Sequence, residues 1–414
     1  IKKCIKYKLN IICGYPGTGK TTITNAACKY LKKLYPTSNI CLTSHTGLAT
    51  VKLKNAIDKD LCEEKLIGTL QKLRYCTFPK IKNDYPDFKK LRPYIIIVDE
   101  FSMVDMLMFN DLLKYCELFN CRLIILGDNQ QLPPIGPGNP LRSLVRANDE
   151  IDGINISFLT NIKRQNGGKL RDIILRMNKE TITEKHFDQE TFRFIDEKEF
   201  VNKNFELDKK KFYKFLDKLN LSKDNTHFLT AQAKKTFGHF SIVKDENGKR
   251  IMTGMNIVLQ EYFNPIVHSG KDKTEEIKKP FNSKNKYKFK QAFHDGDKIM
   301  RTENDYSGDT IRANGDIATV TLIGKDKDKV LIKYHNNSDE STNTEEISIS
   351  KLYDNFKPNY CDTVHKSQGS EYKTVILFIS EEFNWWLSQP DSWNLIYTGM
   401  SRAKDECIII GNIN

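Results

Sequence analysis

Four short apolar runs punctuate the first third of the chain: Leu9–Cys13, Asn39–Thr43, Tyr94–Val98 and Arg122–Leu126. Each is too short for a buried helix and is bounded by polar or turn residues, which predicts fully buried parallel strands. Between them, Thr21–Leu34 and Met103–Phe119 carry apolar residues at helical spacing, which predicts helices with one buried face. Alternating strands and helices predict an α/β sheet with its ligand chemistry at the carboxyl ends of the strands. The tripeptides Val98-Asp99-Glu100 and Leu126-Gly127-Asp128 sit at such ends.

The pattern breaks at Lys72 to Arg92, where prolines, aromatics and lysines predict a small inserted hairpin. From Gly167 to about Leu221 the chain reads as polar and helical. A second strand series starts at His227–Ala231 and returns at Thr374–Ile379 and Cys407–Gly411. Between them, Gly315 to Leu352 alternates apolar and polar residues around the turn "KDKDK", which predicts a small β-barrel-like insertion.

Length changes this picture only by requiring two large domains, since 414 residues exceed one ordinary core. No apolar run is long enough to cross a membrane, and Ile1 to Asn10 has no signal-peptide core. The first residue is Ile, so a fragment of a longer chain is expected. A net charge of +12 favours a polyanionic partner, although a lysine-rich genome bias would produce the same excess. Ten scattered cysteines with no C-x-x-C pair predict reduced thiols in a reducing intracellular compartment, cytoplasm or nucleus. The lysine- and asparagine-rich composition is compatible with a viral or other AT-rich genome.

The chemistry is concentrated in "GYPGTGKTT", Gly14 to Thr22, placed between a strand and a helix. Gly14, Pro16, Gly17, Thr18, Gly19, Lys20, Thr21 and Thr22 make a complete P-loop. Its glycines let backbone N–H groups approach phosphates at the positive end of the following helix. Lys20 is expected on the β- and γ-phosphates and Thr21 on Mg²⁺, so ATP and Mg²⁺ are the expected cofactors. Asp99 is the expected holder of that ion, and Glu100 the group that orients or deprotonates the attacking water. Gln131, in "LGDNQQLPPIG", is expected to sense the γ-phosphate, with Gln130 competing for the role.

The second half adds two arginines in distinctive settings, Arg164 in "LTNIKRQ" and Arg402 in "YTGMSRAK". An arginine brought to a γ-phosphate stabilises transition-state charge and makes domain closure depend on nucleotide. Arg142, Arg146 and Arg171 are nearby alternatives. The stretch "TVHKSQGSEYKTVIL", residues 363 to 377, offers Thr363, His365 and Lys366 for phosphate and sugar contacts, with Gly369 leaving room for close approach.

Together these segments resemble the ordered motifs of superfamily 1 helicases: "GYPGTGKTT", "LTSHTGLA", "IGTLQKL", "IIIVDEFSM", "ILGDNQQLPPIGPG", "LTNIKRQ", "TVHKSQGSEY" and "LIYTGMSRAK". The series "FLTAQ", "NIVLQEYFNP", "GDKIMRTENDY" and "NGDIATV" is similar to the RecD/Dda branch, superfamily 1B. The resemblance runs from Cys13 to Gly411. It implies an α/β fold of two RecA-like P-loop NTPase domains, 1–71 with 93–162 and 163–300 with 353–414. It also implies a pin-like hairpin at 72–92 and an SH3-like β insertion at 301–352. ATP hydrolysis would fall to Lys20, Thr21, Asp99, Glu100, Gln131, Arg164 and Arg402, with Gly369 and Glu371 helping to bind phosphate and ribose. Thr43, His45 and Thr46 would touch DNA from one domain, and Thr363, His365 and Lys366 from the other. Tyr75 and Phe78 in the hairpin would stack on bases.

The implied activity is ATP-dependent 5′ to 3′ translocation on single-stranded DNA with unwinding of tailed duplex, alongside replication or recombination proteins. Two other readings fit the same motifs. One is an RNA helicase, told apart by contacts to 2′-hydroxyls. The other is an ATP-driven remodelling subunit without unwinding of its own. The chain departs from the family pattern in three places. No glutamine precedes the P-loop within residues 1 to 13 to read adenine, His45 stands where proline is common, and Ser401 where threonine is common.

Overall fold

The computed structural model describes residues 6–58, 60–63, 66–71, 94–148, 150–162, 168–177, 184–188, 190–203, 206–232, 238, 241–244, 250–266, 275–277, 292–303, 305, 312, 314–323, 328–335, 344–380 and 392–412. They form two compact units, Ile1–Thr181 with Trp393–Ser401 and Ile182–Ser392 with Arg402–Asn414. The expected hairpin at 72–92, with Tyr75 and Phe78, lies outside the described residues, as does Arg164.

The first unit is built on six strands: β1 Leu9–Gly14, β2 Ile40–Ser44, β3 Ile67–Thr69, β4 Ile95–Asp99, β5 Arg122–Gly127 and β6 Ile154–Leu159. Their order is β3-β2-β4-β5-β1-β6, and every pairing is parallel. The four runs read as strands are the four central ones. Ile95, Ile96, Ile97 and Val98 are completely buried, because helices cover both faces of such a sheet. Each buried side chain of this kind contributes about 1.5–3 kcal/mol over exposure. Helices Lys20–Leu34, Gly47–Ala56 and Met106–Phe119 follow β1, β2 and β4. The last starts three residues later than the periodicity predicts. The residues Phe101–Met103 form a 3₁₀ turn, and Asp105 caps the helix by accepting from Met108 N at 2.8 Å.

The first unit also takes in residues beyond the expected boundary at 162. Helix Gly168–Arg176 buries Leu170, Ile173 and Ile174. Helix Ser392–Met400, expected with the second domain, lies from Trp393 onward in the first unit.

The second unit contains β7 Phe192–Asp196, β8 Thr226–Thr230, β9 Ser241–Lys244, β10 Arg250–Thr253, β11 Glu276–Ile277, β12 Phe293–His294, β13 Lys298–Arg301, β14 Ile317–Ile323, β15 Lys329–Tyr334, β16 Thr344–Ser348, β17 Phe356–Pro358, β18 Cys361–Thr363, β19 Tyr372–Ile379 and β20 Ala403–Gly411. A parallel sheet runs β18-β8-β19-β20-β7. An antiparallel sheet runs β16-β15-β14-β13-β17 around a core of Ile299, Val320, Val330, Ile332 and Phe356. It opens at Lys298 and closes at Pro358, wider than the expected 301–352, and Ile277 and Phe293 of a preceding hairpin share its core.

Candidate functional site

In the P-loop, Gly14 ends β1 beside Leu159 of β6. A Cβ at Gly14 would lie 2.7 Å from Thr18 Oγ1 and 2.9 Å from Leu159 Cβ, so only glycine fits. The loop then turns through Gly17 and Gly19, both at positive φ, the second at +85°. Gly19 is the N-cap of helix Lys20–Leu34 and supplies no side-chain cap, and no acid occupies the first turn. The first N–H groups of that helix are therefore left for an anion. Thr18 folds back through its hydroxyl to Tyr15 O at 2.7 Å. Lys20 Nζ donates to Gly14 O at 2.8 Å and Tyr15 O at 3.1 Å. Thr21 and Thr22 lie in the first helical turn with their side chains reaching solvent, and Pro16 is buried.

Asp99, the last residue of β4, is buried. Burial, and then repulsion from Glu100, push its carboxyl up to about 6, while the Glu100 N–H and Lys20 act in the opposite direction. Glu100 N donates to Asp99 Oδ1 at 2.8 Å. Glu100 itself has φ +51° and ψ 42°. Among the described residues other than glycine, only Asn120 and Asn220 share a positive φ. Both are helix C-caps, where asparagine is at ease. A glutamate in that region is strained, and such strain collects at functional sites.

Gln131 is 3% exposed, and its Oε1 has no hydrogen-bond partner. Ser102 Oγ is likewise buried without a partner. Native interiors leave few such atoms unmatched, so both are open to a further polar partner such as water or a bound group. Gln130, the competitor, also has an unmatched Oε1, but its carbonyl and N–H are engaged structurally. Sequence reasoning placed Asp128 at a strand end but gave it no role. It is buried, its carboxyl is raised chiefly by that burial, and Lys20 and the Gln131 side chain act to lower it. The signal was present in its position at the end of β5.

Of the three nucleic-acid candidates in the first unit, Thr43 and His45 keep unmatched buried atoms, Oγ1 and Nδ1. The His45 ring is held below its ordinary pKa by burial, against the pull of Asp105. The Thr46 hydroxyl oxygen caps helix Gly47–Ala56 by accepting from Ala49 N at 3.2 Å.

In the second unit, Thr363 ends β18, and a tight turn follows. Thr363 O accepts from Lys366 N at 3.0 Å and Ser367 N at 3.2 Å. His365 is half-buried, and burial lowers its pKa. Lys366 stands at the surface. Desolvation, and then the neighbouring Lys357 ammonium, push it down to about 8, with Asp362 opposing. Gly369 has φ +77°. Arg402 is buried, with Nη1 donating to Ser370 O at 3.4 Å, and its carbonyl accepts from Tyr372 N at 2.9 Å. Glu371 pairs with Lys404 at 3.4 Å. The structure thus gathers Gly14–Thr22, Asp99, Glu100 and Gln131 in the first unit, and Gly369, Glu371 and Arg402 in the second.

A family model described as an AAA domain matches residues 1–137, and one described as a UvrD-like helicase C-terminal domain matches residues 358–410. Over the whole chain there is 26% identity to the RecBCD enzyme subunit RecD of Haemophilus influenzae, and over 98% of it 25% identity to the ATP-dependent RecD2 DNA helicase of Deinococcus radiodurans. A shorter match, 33% of the chain at 33% identity, is to the ATP-dependent DNA helicase dda of Enterobacteria phage T4. The chain is thus similar to RecD, RecD2 and dda proteins. It spans 68% of the Haemophilus protein, 47% of the Deinococcus protein and 31% of the phage protein. It spans 37% of a Methanocaldococcus jannaschii protein, to which it is 25% identical. Among solved structures it is similar to a Pif1 helicase studied on forked duplex DNA, with a TM-score of 0.55 and 16% identity over 99% of this chain and 89% of the other. The fold is α/β with a parallel-sheet, RecA-like core.

Proposed function

We propose that this chain is an ATP-dependent DNA helicase that moves 5′ to 3′ along a single strand and opens tailed duplex. The observation that carries the reading is the convergence, in one unit, of a P-loop lysine, a buried Asp99 beside a strained Glu100, and the unmatched Oε1 of Gln131. The relatives named as ATP-dependent DNA helicases support the substrate and the energy source.

On this reading Lys20 leaves the Gly14 and Tyr15 carbonyls for phosphate oxygens, and the open N–H groups of helix Lys20–Leu34 hold the same phosphates. Thr21 and Asp99 would hold Mg²⁺, which offsets phosphate charge when bound. Among the described residues no three His, Cys, Asp or Glu side chains converge to bind a metal by themselves, so the ion would depend on nucleotide oxygens for its remaining ligands. Glu100 takes the proton of the attacking water, Gln131 orients that water, and Arg402 and Arg164 offset developing charge. Gly369 and Glu371 bind phosphate and ribose. Thr43, His45, Thr46, Thr363, His365 and Lys366 track the DNA backbone, with Tyr75 and Phe78 at the duplex junction.

The first unit, which adds helix Gly168–Arg176 and residues Trp393–Ser401 to the expected 1–71 and 93–162, then serves as one RecA-like domain, and the second unit outside its antiparallel sheet as the other. Residues 72–92 serve as the pin, and the antiparallel sheet as an SH3-like insertion. A second reading, a translocating subunit of a larger assembly, draws on the identity to a protein named as a RecBCD subunit.

The deciding experiment is strand displacement with ATP and Mg²⁺ on duplexes bearing a 5′ or a 3′ tail. Opening of the 5′-tailed duplex alone is expected. Lys20→Ala should lower ATP turnover by about a hundredfold or more while leaving circular dichroism unchanged. Opening of the 3′-tailed duplex would overturn the direction. ATP consumption without opening of either would favour the subunit reading.

A further inference from the structure

Helix Ser392–Met400 presents Asn394, Tyr397 and Thr398 on one face, at the three- and four-residue spacing that aligns helical side chains. All three are completely buried. Each is hydrogen-bonded to the short segment Asp128–Leu132 that carries Gln131. Asn394 Nδ2 donates to Gln130 O at 2.6 Å. Leu132 N donates to Thr398 Oγ1 at 2.9 Å. These two contacts grip the peptide groups on either side of Gln131. Tyr397 Oη donates to Asp128 Oδ2 at 2.7 Å. The Gln131 side chain lies against that same carboxylate, and its own Oε1 is left unmatched. Arg142 Nη2 donates to Asn394 Oδ1 at 3.2 Å and fixes the amide at the start of the series.

We infer that Asn394, Tyr397 and Thr398 are positioning residues for Gln131, and that Tyr397 acts through Asp128 to aim the glutamine's amide oxygen at the reacting centre. The inference rests on the ATPase reading and names the residues that tune it. The geometry carries three consequences. An amide free at both ends would populate several rotamers and flips, only one of which offers its oxygen to a water. Asp128 accepts from the amide's NH₂ end and thereby leaves the buried Oε1 for another partner. A buried carboxylate needs donors on both oxygens to hold it in place; the Gln130 N–H serves Oδ1 at 3.0 Å and the phenol serves Oδ2. Tyr397 touches neither nucleotide nor water on this scheme, so its effect should appear in the rate of the chemical step and not in nucleotide affinity.

The test is a double-mutant cycle between Tyr397→Phe and Gln131→Ala, read by single-turnover ATP hydrolysis with single-stranded DNA present and by ADP binding in a calorimeter. Phenylalanine keeps the buried ring and removes only the hydroxyl. In the wild-type background Tyr397→Phe should lower the single-turnover rate about tenfold, with ADP affinity changed by less than about twofold. In the Gln131→Ala background the same change should have no further effect. Equal losses in both backgrounds, an unchanged rate, or a parallel loss of ADP affinity would each overturn the inference. Thr398→Val, which removes the acceptor for Leu132 N, should show the same dependence on Gln131 and serves if Tyr397→Phe fails to fold. Absence of ATP turnover in the wild-type protein would defeat the ATPase reading itself, and is visible before any variant is compared.

Discussion

Lys366 is the residue whose chemistry is most exposed to a simple test. Desolvation and the Lys357 ammonium hold it down to about 8, where an ordinary lysine titrates above 10. It is charged below that value and neutral above it. If Lys366 contacts a DNA phosphate, affinity for single-stranded DNA should fall about tenfold between pH 7 and pH 9.5 as the charge-assisted bond is lost. His365 does not confuse the window, since burial keeps its ring neutral there. Fluorescence anisotropy of Lys366→Gln across the same range should give a flat profile, and a slope equal to that of the wild type would remove Lys366 from the contact. Glu100 makes a different point at this scale. "DE" after a strand names the pair, but the left-handed backbone at Glu100 is a property of the folded turn and has no letter in the sequence.

At the level of elements, the antiparallel sheet holds one buried cation whose partners come from several of its segments. Arg301 is 1% exposed and donates to Tyr334 Oη at 3.1 Å, Glu345 Oε2 at 3.2 Å and Asp305 Oδ2 at 3.1 Å, while its guanidinium faces the Phe356 ring. Removing one partner from such a cluster strands the others. Arg301→Met should destabilise this sheet by about 3 kcal/mol. Hydrogen exchange should then quicken in β13–β17 and remain slow in β8, β19 and β20. Uniform quickening would mean that the sheet does not open on its own. The alternation that predicted this sheet was plain in "IATVTLI" and "KVLIKY". Strands β6 and β7 were not foreseen, because Ile154–Leu159 and Phe192–Asp196 are half-polar edge strands without an unbroken apolar run. The P-loop was legible because its residues are contiguous and the Thr18 and Lys20 bonds stay within six positions. The link from Tyr397 to Asp128 spans 269 residues, and only folding brings them together.

For the molecule as a whole, the excess of positive charge becomes meaningful only if a polyanion is the partner. Binding to single-stranded DNA should then weaken with salt. Engagement of about five phosphates gives a slope of about −3.5 in log affinity against log salt concentration. A slope near zero would reduce the +12 to solvated surface. No helix among the described residues is long and apolar enough to cross a membrane. The same measurement with an RNA oligonucleotide of matched sequence lacking uracil, against DNA lacking thymine, separates DNA preference from general anion binding, since only the 2′-hydroxyls then differ.

Lys20 already rests on the carbonyls of Gly14 and Tyr15. A motor must empty its fuel site as readily as it fills it, and a bare ammonium in a phosphate cradle would cling to spent product. On the proposed ATPase reading, the Gly14 and Tyr15 carbonyls would take that charge back as the anion departs. Filling the site again would then ask only one side chain to swing.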